Sequence, residues 1–164
     1  MELSQADGAS APICLPVSKV TARSKLIKII SKIHGCIYRA SKGKIGRRLG
    51  NQEIVLLTTK GRKSGRERQV PLAAIPHLNN YFVVASFGGS HVHPGWFLNI
   101  RHNQNVRVRF GATTKRATAS ILQTSAIDYE HLWNKAISIY KGFDDYKEAT
   151  PRRIPIVIIT PHHE

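Results

Sequence analysis

The sequence predicts a mainly β domain, a small barrel with flanking helices. Two observations point there. Five or six short apolar or alternating runs, each too brief for a helix, fall between residues 53 and 160. Helical periodicity is confined to a stretch near the N-terminus, a short one after Pro94 and one near the C-terminus. No internal repeat or low-complexity tract interrupts the pattern. The expected organisation is a flexible tail over residues 1–20, a basic amphipathic helix over 21–42, and a barrel over 43–164.

Residues 1 to about 19 mix Ser, Ala, Gly and Pro without periodicity, as a flexible tail does. Over 21–41, Leu26, Ile30, Ile33 and Ile37 recur at spacings of four and three, an apolar stripe on one face. Lys25, Lys28, Lys32 and Arg39 gather on the opposite side, within about 60° of one another at ~100° per residue. Such a helix docks on the barrel through its stripe, or lies in an anionic membrane interface with its lysines on the headgroups.

After the Gly-rich link "SKGKIGRRLG", "EIVLLTT" (Glu53 to Thr59) reads as the first barrel strand. "RQVPLAAI" (Arg68 to Ile75) is a second strand, and Pro71 places it at an edge or a bulge. Asn79 and Asn80 form a hairpin turn into "YFVVAS" (Tyr81 to Ser86). Pro94, Gly95, Trp96 and Phe97 open a short helix ending near Arg101. "NVRVRF" (Asn105 to Phe110) alternates as a half-buried strand, and Gly111-Ala112 turns it into "RATASIL". The helix "SAIDYEHLWNKAISIYKGF" brings Ile127, His131, Ala136 and Tyr140 near one another. "RIPIVIIT" closes the set as a buried strand.

A chain of 164 residues is long enough to bury a core without staples. Its 25 Lys+Arg against 10 Asp+Glu leave a net charge of +15, which favours phosphorylated ligands, nucleic acid or an anionic membrane as partners. Cys14 and Cys36 make no C-x-x-C pair, so neither a disulfide framework nor a zinc site is expected, and a reducing cytoplasm fits best. No apolar run approaches the ~20 residues of a spanning helix. The N-terminus has no sustained apolar core of a secretory signal.

The loop "TTKGRKSGRER", Thr58 to Arg68, concentrates this charge. Gly61 and Gly65 permit φ > 0 turns that aim backbone N–H groups at one point, and Arg62, Lys63, Arg66 and Arg68 supply cations. Its glycines are four apart rather than five and no Lys-Ser/Thr pair follows, so it is not a Walker A loop. A phosphate cradle and a solvated hairpin tip remain open on the loop alone. In "ASFGGSHVHPGWFLNI", small residues at a strand end beside an aromatic pair suit a flat ring against exposed backbone. They equally suit a turn next to core aromatics. His91, His93, His162 and His163 lack a third partner for a metal, and none is expected.

Taken together, "LLTTKGRKSGRERQVPL", "VVASFGGSHVHPGWFLNIRHNQNVRVRF" and "RIPIVIITP" resemble the deazaflavin-dependent nitroreductase family, from about Gly46 to Pro161. That resemblance implies an FMN-binding-type split β-barrel and coenzyme F-420, an 8-hydroxy-5-deazaflavin with a phosphate and an oligoglutamate tail. It implies that Arg62, Lys63, Ser64 and Arg68 grip the phosphate and tail. Arg68, Gln69, Val70, Pro71, Leu72 and Ala73 would line the coenzyme pocket, as would Val84, Ala85, Ser86 and Phe87. Gly95, Trp96, Phe97, Leu98 and Asn99 would close over it. Tyr140, Phe143 and Tyr146, spaced by three, would wall the acceptor site, with no certain catalytic residue and no metal.

The implied reaction is hydride transfer from the reduced coenzyme to a quinone-like or nitroaromatic small-molecule acceptor. Two departures bear on acceptor preference: Phe143 stands at a position where relatives often carry tyrosine, and Phe87 where they can carry lysine. The alternatives are an FMN-dependent split-barrel reductase, a non-catalytic coenzyme carrier, and a nucleic-acid-binding basic barrel. The last would need aromatics interleaved with Arg107 and Arg109, and no such ladder is present. The expected location is cytoplasmic, peripheral on the inner face of the cell membrane if residues 21–41 bind it.

Overall fold

The structure is a computed structural model that describes residues 26, 29, 30, 33–38, 40, 41, 44–49, 52–122 and 127–162. The expected tail over 1–20 and part of the expected helix over 21–42 lie outside the described residues. The strands are β1 (Arg48–Leu49), β2 (Gln52–Lys60), β3 (Glu67–His77), β4 (Asn80–Val84), β5 (Asn105–Phe110), β6 (Thr113–Ile121) and β7 (Ile156–Pro161). The helices are α1 (Gly95–His102), α2 (Ile127–Ile139) and α3 (Gly142–Glu148).

The strands run in the order β1-β2-β3-β4-β7-β6-β5, and β5 pairs back onto β2 through Leu57↔Val108. This closes a six-stranded antiparallel barrel from β2 to β7, with β1 as a short ribbon on β2. Closure pairs every barrel strand on both sides except along the first half of β3, which meets β2 alone. The fold is the mainly β split barrel that the sequence predicts.

Alternation fills the barrel. Val55 and Leu57, Val106 and Val108, Ala117 and Ala119, Val157 and Ile159 point inward at the two-residue spacing of strands. The short helix α1 adds Trp96, Phe97 and Ile100 to the same cluster. Each fully buried valine, leucine or isoleucine among them contributes roughly 1.5–3 kcal/mol. β2 is apolar on both faces because Ile54 and Leu56 are buried on the other side, beneath Tyr38.

Tyr38 is how the N-terminal helical residues hold on. It is 0% exposed, its hydroxyl accepts the Gly111 N–H at 2.8 Å, and it donates to the Arg109 carbonyl at 3.3 Å. The aliphatic stripe does not dock on the barrel. Leu26, Ile30, Ile33 and Ile37 are 44–57% exposed, and Ile29 is 55% exposed. The face turned inward carries Gly35, which lies beside Pro71, and Tyr38.

The C-terminal helix also presents a face other than the expected one. Ile127 is 94% exposed and His131 is exposed, whereas Tyr129, Leu132, Trp133 and Ala136 are buried. These four share one face at spacings of three and four. Tyr129 donates to the Ile154 carbonyl at 2.7 Å, and burial with the Glu130 charge pushes its phenol up to about 12. The single helix expected through Phe143 breaks at Tyr140 and Lys141, giving α2 and α3. The β3–β4 hairpin turns at Leu78 and Asn79, one residue early, so that His77 pairs with Asn80 and Leu78 takes φ 52°.

Candidate coenzyme cleft

β3 bonds to β2 along Glu67–Ala74 but reaches β4 only through Ile75, Pro76 and His77. Its first half therefore keeps one side open, which is why Pro71, without an N–H, is tolerated there. Along that open side runs a cleft of about 720 Å³. Arg68, Gln69, Val70, Pro71, Leu72 and Ala73 form one wall. Val84, Ser86 and Phe87 line it with Gly88, while Gly95, Trp96 and Asn99 join from α1 with Pro94. The basic loop contributes Gly61, Arg62, Lys63 and Ser64, and α3 contributes Phe143 and Tyr146.

Three residues of the expected coenzyme set do not line the cleft. Ala85 is 0% exposed in the barrel core. Phe97 is buried there too and stacks on His93 with ring centroids 4.8 Å apart. Leu98 packs partly buried against the same core. Gly61, Gly88 and Pro94 line it in addition. Each follows or precedes an expected residue, so the signal was adjacency in the chain.

The basic loop is held from outside. Asn99, 6% exposed, accepts the Arg62 N–H at 3.2 Å and donates to Thr59 Oγ1 at 3.0 Å, tying the loop to α1. Inside the loop, Gly61 N–H bonds the Arg66 carbonyl and Gly65 N–H bonds the Gly61 carbonyl. Arg66 N–H takes Ser64 Oγ at 3.4 Å. The Gly61, Arg62, Gly65 and Arg66 amides are thus engaged within the fold, which narrows the fan of N–H groups the loop was expected to offer. Arg62, Lys63 and Arg68 are exposed. Only Gly65 has φ > 0, at 66°. Gly61 is needed for close approach instead, since a Cβ there would sit 3.0 Å from the Arg66 carbonyl oxygen.

Beside the cleft the chain is strained. Phe87, Gly88 and Gly89 take φ of 51°, 63° and 75° in succession. For Phe87 this left-handed conformation costs about 1–2 kcal/mol, and such strain concentrates at functional sites. Gly89 is also fixed by packing, because a Cβ there would lie 2.7 Å from Ala149 Cβ.

Although the helix breaks, Tyr140, Phe143 and Tyr146 meet. Tyr140 and Phe143 sit edge to face at 5.5 Å, Phe143 and Tyr146 at 6.1 Å, and the two tyrosine hydroxyls lie 3.3 Å apart. Phe143 and Tyr146 reach the cleft, and Tyr140 braces them from a 43% exposed position.

Among the histidines, His91 and His162 are exposed. His93 accepts a hydrogen bond at Nδ1 from Arg152 at 3.3 Å, and burial, helped by the Arg152 and Arg101 charges, holds it below the ordinary histidine range. Among the described residues no cluster of His, Cys, Asp and Glu could hold a metal ion. Arg107 pairs with Glu67 at 2.6 Å and Arg109 donates to the Gly111 carbonyl, so both β5 arginines are engaged within the barrel.

A closed six-stranded barrel with a cation-rimmed, aromatic-walled cleft beside a strained strand end defines a coenzyme-binding split barrel. The chain belongs to the F420H(2)-dependent quinone reductase family, whose model matches residues 30–161. It is 33% identical over 135 residues to the F420H(2)-dependent quinone reductase Rv1261c of Mycobacterium tuberculosis, covering 79% of this chain and 88% of that protein. Among solved structures, an F420-H2 dependent reductase (FDR-A) is 38% identical with a TM-score of 0.58, over 65% of this chain and 92% of that one. A second, described as a domain-swapped dimer, is 31% identical with a TM-score of 0.60, over 87% of this chain and 98% of its own. The heme storage protein HutZ of Vibrio cholerae, at 14% identity, TM-score 0.53 and coverage of 68% and 82%, shares the fold.

Proposed function

We propose that this chain is an oxidoreductase that uses reduced coenzyme F-420 to deliver hydride to a quinone-like or nitroaromatic acceptor. The observation that carries the proposal is one continuous cleft whose lining runs from exposed cations to the edge-to-face aromatics Phe143 and Tyr146. A flat tricyclic ring with a phosphate and carboxylates matches that lining: apolar strand wall for the ring, Arg62, Lys63 and Arg68 for the anions. The coenzyme supplies the hydride, so the protein's work is binding, orientation and exclusion of water. The backbone of β3 and the Ser86–Gly88 turn form the surfaces against which the ring is held. Arg62, Lys63, Ser64 and Arg68 neutralise the phosphate, each charge-assisted contact contributing about 1.5–3 kcal/mol. Phe143 and Tyr146, braced by Tyr140, form the acceptor wall and keep water from the ring.

The reaction needs no triad, carboxylate pair or metal from the chain. The direct test is turnover: purified protein with reduced F-420 and menadione should oxidise the coenzyme, and reduced FMN should support little. Equal or faster turnover with FMN would favour the split-barrel flavin reductase, and binding without turnover would leave a carrier.

We infer further that residues 43–164 act as the catalytic domain and residues 21–42 as its peripheral attachment to the inner face of the cell membrane, in the cytoplasm. Exposure of Leu26, Ile29, Ile30, Ile33 and Ile37 supports this reading, since a docked helix would have covered them. In the sequence Lys25, Lys28 and Lys32 flank that stripe, each contributing roughly 1 kcal/mol near anionic lipid. No helix of the described residues is long and apolar enough to cross a membrane. Co-sedimentation with anionic vesicles should be salt-sensitive and lost on truncation to Lys42. A full chain that stays in the supernatant would leave the stripe to a protein partner or a second copy.

A further inference from the structure

Arg152 lies between α3 and β7, half-buried and outside the cleft lining. Its Nε donates to the Ser90 carbonyl at 2.7 Å. Its Nη2 donates to the Ala85 carbonyl at 3.0 Å and the Ser86 carbonyl at 2.8 Å. Nη1 reaches His93 Nδ1 at 3.3 Å, which must accept, placing the imidazole proton on Nε2. Among the described residues no carboxylate within ion-pairing distance shares this guanidinium. A half-buried guanidinium that spends its donors on three carbonyls and an imidazole, with no carboxylate, gives up more hydration than packing alone requires.

What Arg152 holds is informative. Ser86 ends the coenzyme wall, and Ser90 follows the strained Phe87–Gly89 turn. The far side of the same turn rests on α3: a Cβ at Gly89 would meet Ala149 Cβ at 2.7 Å, the Tyr146 carbonyl oxygen at 3.2 Å and Tyr146 Cα at 3.3 Å. Arg152 itself follows α3 by four residues, after the buried Thr150 whose Oγ1 accepts the Arg152 N–H at 3.4 Å. Two contacts, one polar and one steric, therefore join the turn under the proposed ring site to the helix that carries Phe143 and Tyr146.

We propose that Arg152 is a positioning residue that, with the Gly89–Ala149 contact, locks the coenzyme wall and the acceptor wall of the cleft at a fixed separation. The proposal rests on the functional reading above for its catalytic consequence, but the mechanical coupling stands apart from it. A lysine at 152 keeps the charge and cannot span three carbonyls and a histidine with its single nitrogen. Gly89→Ala keeps the arginine and pushes Ala149 away.

The test follows amide hydrogen exchange in the full chain without coenzyme, and kinetics with it. In Arg152→Lys and in Gly89→Ala, amides of 88–90 and of 143–148 should lose protection together, by tenfold or more. With reduced F-420 and menadione, kcat should fall at least tenfold while the Kd for F-420 stays within threefold, because the phosphate loop is untouched. Leu78→Gly, in the exposed β3–β4 turn away from the cleft lining, should leave both segments and kcat unchanged. In the unmodified protein the two segments should open with the same dependence on denaturant, which decides the coupling even if neither variant folds. Loss of protection confined to 88–90, separate opening of the two segments, or unchanged kcat in folded variants would each overturn the proposal. A wild type that turns over no F-420 would refute the functional reading, while the exchange arm would still decide the coupling.

Discussion

Asn99→Ala probes how the basic loop is held. The Asn99 amide is 6% exposed and makes two hydrogen bonds, accepting from Arg62 N–H at 3.2 Å and donating to Thr59 Oγ1 at 3.0 Å. Thr59 retains a partner in the Arg68 carbonyl at 3.4 Å, whereas Arg62 N–H has water as its replacement. Two neutral hydrogen bonds at about 0.5–1.5 kcal/mol each give a loss of roughly 1–3 kcal/mol. At about 2–4 °C per kcal/mol for a domain of this size, the melting temperature should fall by roughly 2–12 °C. Coenzyme affinity should fall as well, since the loop bearing Arg62 and Lys63 loses its tie to α1. Asn99→Asp adds a second probe. The carboxylate still accepts the Arg62 N–H, but it cannot donate to Thr59 Oγ1, buries a charge and sets it beside the proposed anion site, so both melting temperature and affinity should drop. Thermal melts and fluorescence titration with F-420 measure both quantities. Unchanged melting and unchanged affinity in Asn99→Ala would refute the tie.

Other expectations follow from single contacts. Tyr38→Phe orphans the buried Gly111 N–H and should destabilise by about 1–3 kcal/mol in denaturant melts, with the N-terminal helical residues losing exchange protection. Leu78→Gly should stabilise by about 0.5–1 kcal/mol, because it relieves a left-handed leucine that is 88% exposed and so loses little burial. His93 has its folded-state pKa below the unfolded value of 6.5, so its contribution to stability is fully present above about pH 6.5 and is lost as pH falls through the lowered value. Melting temperature should therefore drop more steeply with acidification in the wild type than in His93→Gln, and equal slopes would remove His93 from that dependence.

The barrel strands were legible because alternation and brevity leave few other structures for "NVRVRF" or "YFVVAS". The loop was legible as a cluster of exposed cations beside a strand end, though the use of its amides was not, since backbone bonding within a turn leaves no mark on residue type. For α2, spacing grouped Ile127, His131, Ala136 and Tyr140, but of these only Ala136 is buried, and Tyr129, Leu132 and Trp133 complete the inward face. For the N-terminal stripe the sequence left docking and a membrane interface both open; a glycine and a tyrosine dock, and the isoleucines do not. Arg152 carried no sequence signal at all, because three of its four side-chain partners are backbone carbonyls.

The most direct measurement of the central claim is a parallel titration of the full chain and of its Arg62→Ala/Lys63→Ala double variant with oxidised F-420 and with FMN. Two lost charge-assisted contacts at about 1.5–3 kcal/mol each predict an affinity for F-420 weakened by at least about 100-fold in the double variant, with its thermal melt unchanged. Wild-type protein should bind FMN more weakly than F-420, because one phosphate leaves much of the cationic rim unpaired. FMN binding as tight as F-420 binding, or an F-420 affinity indifferent to the loss of both cations, would contradict the account.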